Sequence, residues 1–157
     1  MQYVDAGLVD TSAPFVVAVS GSDLPNSRTE DMLPRILKVL FGVGPYQVTF
    51  TGRGTPKAVD EGWSTQHGIS KNSGAEVSSK LFLEEEYRGI SGILFSYADA
   101  CNYSSTPGAD FLYVHNPLCP HGMPHGWLRV GQEYYVEDEL LRHADWNQAG
   151  ASRFTLE

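Results

Sequence analysis

A chain of 157 residues with 19 acidic and 11 basic side chains has a formal net charge of −8. With 41% hydrophobic and 19% charged residues it is globular rather than disordered, and at this length it should bury roughly 68–70% of its unfolded surface. Its scattered Lys and Arg form no basic stripe, so no nucleic-acid partner is expected: phosphate neutralisation would have no source.

No apolar run approaches the ~20 residues that span a bilayer, and the N-terminal MQYVDAGLVD lacks the basic-then-apolar pattern of a secretory signal. Cys101 and Cys119 are too few for a disulfide framework. A soluble, cytoplasmic protein with no membrane partner is expected.

In chain order, MQYVDAGLVD resembles the last turn of an amphipathic helix, with Tyr3 and Val4 apolar and Gly7 closing it. Residues 15–19, FVVAV, read as a central strand, followed by the turn-rich SGSDLPNS. Leu33, Ile36, Leu37, Leu40 and Phe41 recur at helical spacing and predict a helix over 32–41. Ser27 with Glu30 has capping-box spacing, but a cap there would put Pro34 too deep in the helix. A cap at Asp31 places Pro34 at the third helical position, and Gly42 and Gly44 end the helix.

YQVTFT, 46–51, alternates as a half-buried strand. The turn-rich 52–74 reads as a long loop. Glu84 to Tyr87 suits a short helical turn. The run at 91–97 and FLYVH at 111–115 read as core strands, and WLRVGQEYYVED as a hairpin turning at Gly131. From His143 onward no periodicity is visible. With no repeat and no linker, the expectation is a single α/β domain over 1–157. It would have one mixed sheet (15–19, 46–51, 91–97, 111–115 and the hairpin) with the main helix packed on it; α+β is the alternative.

YVHNPLCPHGMPHGW, 113–127, carries the densest chemistry. His115, Cys119, His121 and His125 are spaced H-x3-C-x-H-x3-H, and imidazole and thiolate are zinc ligands. No second knuckle accompanies them, and Pro117, Pro120 and Pro124 restrict how the ligands could converge. The loop reads more simply as an ordered strand-to-strand crossing, so no metal and no cofactor are assigned.

His115 ends a core strand, where α/β ligand crevices form, and Asn116 is held extended by the proline after it. These two, with His67 in the long loop, are the candidate contacts for a small molecule. The bland alternative is an Asx turn beside a satisfied buried histidine.

Ser20-Gly21-Ser22-Asp23 and GRGTPK match neither a phosphate loop nor a nucleophile elbow, and no D/E-x-K occurs anywhere in the chain. An independent nuclease core is therefore not expected. Trp127, Tyr134, Tyr135 and Trp146 concentrate aromatic area near the C-terminus. Trp127, Tyr134 and Trp146, with Tyr3, are the candidate residues of an interface between copies.

Four stretches, YVDAGLVD...PFVVAVSGSDLP, LPRILKVLF, GISGILFSYADACN and ADFLYVHNPLCPHGMPHGWLRVGQEYYVED, resemble the C-terminal half of a family of longer, uncharacterised bacterial proteins. HNP at 115–117 and G-x-E-Y at 131–134 fit that family's wording, whereas Cys119, His121 and His125 depart from it. The resemblance implies a restriction-endonuclease-like fold with a mixed sheet flanked by helices. It also implies that the acidic catalytic residues belong to an upstream half this chain does not contain. The expected function is thus a non-catalytic, self-associating domain, a homo-oligomer with a small-molecule pocket near His115. The alternatives are a metal-dependent hydrolase or nuclease-related enzyme with His115 or His67 as base, and a regulatory partner of a larger enzyme.

Overall fold

A computed structural model of the chain describes residues 6, 10, 12–24, 32–52, 55, 57–71, 73–99, 101, 103–148 and 153–155. The helical turn expected around Tyr3 and the caps weighed at Ser27, Glu30 and Asp31 lie outside the described residues. The fold is mixed α/β, mostly sheet: one large mixed sheet, two small antiparallel sheets and one α-helix. Its Cα packing forms two compact units, Met1–Asp31 with Glu84–Glu157, and Met32–Leu83.

The first unit holds the large sheet. Its strands are β1 (Val16–Ser20), β6 (Gly92–Ser96), β7 (Leu112–His115), β8 (Gln132–Glu137), β9 (Leu140–Asp145) and β10 (Arg153–Thr155), side by side in that order. β1 runs parallel to β6 and β7 parallel to β8, while β6–β7, β8–β9 and β9–β10 are antiparallel. The apolar runs expected at 15–19, 91–97 and 111–115 are β1, β6 and β7, but β1, expected to be central, is the outermost strand and is largely exposed. Ile93, Phe95, Leu112, Tyr113, Val114, Tyr134, Tyr135 and Ala144 form the buried core around them. A parallel pair cannot be joined by a tight turn, so residues 116–131 make the crossing from β7 to β8.

The C-terminal hairpin turns further on than Gly131. Gly131 leads into β8, and the reversal falls at Asp138 and Glu139, with φ 53° and 65°, between β8 and β9. Two consecutive positive φ angles are the two-residue turn whose twist matches paired strands, here made without glycine. The stretch after His143, aperiodic by sequence, continues β9 to Asp145 and includes β10.

The second unit is built from α1 (Arg35–Phe41), β2 (Val43–Thr51), β3 (Lys57–Thr65), β4 (Gly68–Ser70) and β5 (Glu76–Ser78). The helix is shorter than expected. Pro34, at ψ 137°, is still extended and stands just before the first helical residue. The stripe is real: Leu33, Leu37 and Leu40 are buried, with Phe82 of the 3₁₀ turn Leu81–Leu83 beside Phe41 in an edge-on contact at 6.0 Å. Each such buried side chain contributes about 1.5–3 kcal/mol. Gly42 closes the helix at φ 68°, its N–H donating to the carbonyl of Lys38.

YQVTFT does not join the large sheet. It belongs to β2, which pairs antiparallel with β3 as a two-stranded ribbon, and β3 comes from the stretch read as a long loop. The irregular pairing between Thr49 and Phe50 and the exposure of AVDEG hid the strand, because no apolar alternation survives there.

Candidate functional site

β7 delivers Tyr113 and His115 into the core, and β8 delivers Glu133 beside them. Glu133 is 4% exposed and His115 6%, and the Nε2 of His115 lies 2.6 Å from Glu133 Oε1. Three further bonds converge on the same carboxylate. The N–H of Gly126 reaches both oxygens, at 2.8 and 2.9 Å, and the indole N–H of Trp146 donates to Oε2 at 2.9 Å. Burial pushes the Glu133 carboxyl up, but these donors outweigh it and hold the group below its ordinary value. An ionised carboxylate only accepts, so the hydrogen of the pair sits on His115 Nε2. Among the described residues nothing is hydrogen-bonded to Nδ1.

The loop is tied down from below by the same carboxylate. Gly126 has φ 70°, and a Cβ there would stand 3.0 Å from the Trp146 ring. A glycine is needed both for the backbone shape and for the indole that lies against it. His125, exposed, lies tilted against Tyr135 with ring centroids 4.1 Å apart, and 4.7 Å from the His115 ring. Tyr113 meets His115 edge-on at 4.6 Å, and among the described residues its buried hydroxyl has no partner at hydrogen-bond geometry. Burial, reinforced by Glu133 and Cys119, raises that phenol's pKa and keeps it neutral. The Tyr113 ring crosses Gly92 of β6, where a Cβ would stand 2.5 Å from the hydroxyl.

Asn116 is fully engaged within the chain. Its amide donates to the carbonyls of Tyr87 and Ile90, and its side-chain oxygen accepts from Leu118 N–H, an Asx turn. Cys119 lies with its Sγ 3.4 Å from Ser91 Oγ, and His121, exposed, accepts from Ser91 through its carbonyl. Among the described residues, no three His, Cys, Asp or Glu side chains converge to hold a metal ion. His67 is exposed and belongs to the other compact unit, between β3 and β4.

Of the residues assigned to an interface, Trp127 is half-exposed and meets Tyr113 edge-on at 5.6 Å. Tyr134 is buried and stacks on His143 at 4.6 Å, its phenol pushed up to about 12, chiefly by burial. Trp146 turns its indole N–H inward to Glu133. Tyr3 lies outside the described residues. Burial also holds the His143 imidazole below its ordinary value, Asp145 opposing.

Sequence reasoning missed Glu133 and Gly126. The signal for Glu133 was present: a carboxylate next to the aromatic pair Tyr134–Tyr135 in the strand QEYYVE, on the same side as Tyr135. It also missed a surface on the ribbon. Residues directly opposite across paired strands share a face. The pairs Tyr46–Trp63, Val48–Glu61 and Phe50–Ala58 therefore make one face, while Gln47–Gly62, Thr49–Asp60 and Thr51–Lys57 make the other. The first face is apolar apart from Glu61, and it is open to solvent: Phe50 is 60% exposed and Trp63 39%.

Comparison with protein-family models, with curated proteins and with solved structures finds nothing that matches this chain, so nothing found bears on the restriction-endonuclease-like resemblance. Among the described residues no helix is long and apolar enough to cross a membrane.

Proposed function

We propose that this protein is a non-catalytic, self-associating domain, and that the apolar face of the β2–β3 ribbon is where copies meet. One observation carries the reading: two nine-residue strands pair, among the described residues, with each other alone and expose Tyr46, Val48, Phe50 and Trp63 on a single face. A two-stranded ribbon is marginal in water without a third strand or a packing layer. A second copy of the ribbon, laid face to face, supplies that layer and covers the aromatic pair on both sides. The donors around Glu133 support the non-catalytic half, because they satisfy its carboxylate from inside the chain. Sedimentation velocity across a wide concentration range tests the proposal. Wild type should associate and Phe50→Glu should weaken association at unchanged circular dichroism; a monomer at hundreds of micromolar would overturn it.

A second reading rests on the unbonded Nδ1 of His115, beside exposed His125. A carboxylate that orients one imidazole nitrogen leaves the other free of that bond, which suits a small-molecule contact or a group of a hydrolase site. A thermal-shift screen of metabolites and divalent metals checks it, since a ligand of the native state raises the melting temperature. A hit whose shift survives His125→Ala undiminished would argue against this location.

A further inference from the structure

We infer a second contact between copies: the free edge of β1 pairs antiparallel with the same edge of another copy, about a twofold axis at Ala18. This goes beyond the ribbon reading and rests on different residues. β1 is the outermost strand of the large sheet, and among the described residues no strand lies along its other side.

The direction of its backbone groups follows from the register. Ser20 is opposite Ser96 on parallel β6, and the N–H of Gly21 donates to the Ser96 carbonyl. In a parallel ladder the inward-bonding residues of one strand alternate. Val17 and Val19 therefore turn their N–H and C=O towards β6, and Val16, Ala18 and Ser20 turn theirs outward.

Edges exposed in soluble proteins are usually blunted by Lys, Pro or a bulge. β1, reading VVAVS, has none of these: Pro14 precedes the strand, and the pairing with β6 is regular throughout. What completes such an edge is another extended strand.

A second copy fits for three reasons. Antiparallel pairing about Ala18 matches Val16 with Ser20 of the other copy and Ala18 with its own counterpart, so every outward residue meets an outward residue. Those three matched positions are all of the hydrogen-bonded kind, in which both N–H···O bonds form. A net charge of −8 opposes association in general, yet this register sets no acid against another acid from Ser12 to Leu24, since Asp23 faces Ala13. The residue on the axis is alanine, which lets the chains approach closely.

Two independent twofold contacts build an assembly larger than a dimer. The test combines mass measurement with amide exchange on the full chain. Ala18→Pro removes an outward N–H while leaving the bonds to β6 in place. Wild type should form species beyond a dimer; Ala18→Pro and Phe50→Glu should each leave a dimer, and the double variant a monomer. In wild type, the amides of Val16, Ala18 and Ser20 should exchange at least tenfold more slowly at high than at low concentration. Those of Val17 and Val19 should be slow throughout.

An Ala18→Pro protein that assembles like wild type, or even-numbered amides indifferent to concentration, would overturn the edge pairing while the ribbon contact stood. A monomeric Phe50→Glu would do the same. A monomeric wild type would remove both. Should Ala18→Pro fail to fold, Ala18→Lys and the wild-type exchange pattern decide. Slow outward amides in a wild-type monomer would mean the edge is already covered within the chain, and would also overturn the pairing.

Discussion

His115 and Glu133 come from adjacent parallel strands, 18 residues apart in sequence, and meet at 2.6 Å in the core. The carboxylate is the centre of the arrangement, because β8 carries it and β7, the crossing loop and the turn after β9 all bond to it. Glu133→Gln keeps the shape but removes the charge and sets an amide donor against two N–H groups. A loss of about 2–3 kcal/mol is expected, the cost of leaving buried donors without their acceptor. Urea denaturation measures it, and a loss below about 1 kcal/mol would show that the carboxylate is not what ties these segments together.

Gly126→Ala tests the loop from the other side. The added methyl meets the Trp146 indole at 3.0 Å and must adopt φ 70°. The expected cost is about 1–3 kcal/mol. Near-ultraviolet circular dichroism should change with it as the indole moves, and an unaltered spectrum with unaltered stability would contradict the packing described.

Stability should fall on the acid side in two stages. His143 is held below its ordinary value of 6.5 in the folded state, so between its two pKa values the unfolded chain binds more protons. Its contribution is complete above pH 6.5 and is lost as the pH falls through the folded value. Glu133 behaves likewise below its ordinary 4.5. Denaturation midpoints followed from pH 8 to pH 2 should decline from about pH 6.5 downward, and again below about pH 4.5. His143→Phe, which keeps a ring against Tyr134, should flatten the first stage, and an unchanged slope in that variant would rule His143 out as its source.

The hairpin between β8 and β9 holds Glu139 at φ 65°, a backbone shape that strains an L side chain. Glu139→Gly should stabilise the protein by about 0.5–1 kcal/mol, seen as a melting temperature a few degrees higher. A lower melting temperature would mean that the Glu139 side chain contributes more than the turn costs.

GILFS and LYVH were legible because burial leaves its mark in composition. VVAVS was legible as a strand but not as an edge, since its apolar run reads as central while Ala18, Val19 and Ser20 are exposed at the sheet's margin. The helix end was legible through Gly42. Its start was not, since Pro34 is compatible with either side of a helix N-terminus and only its ψ decides. β3 was invisible because one face is polar and the other is interrupted by Glu61 and an irregular pairing. The hairpin was misplaced because glycine draws attention at Gly131 while the turn uses Asp138 and Glu139. His115 was singled out, but its partner was not. Nothing local ties a histidine to a glutamate 18 positions later; the parallel register does.

The order of assembly follows from where β1 sits. Phe15 is bonded to Ser91 across a separation of 76 residues, the whole of the Met32–Leu83 unit intervening, whereas β8 and β9 are joined by two residues. Closing the longer span carries the greater entropic penalty and slows barrier crossing. During refolding the C-terminal hairpin should gain protection early and β1 last, leaving β6 as a transient boundary of the sheet. In that interval a chain is most exposed to capture by a neighbour's first strand.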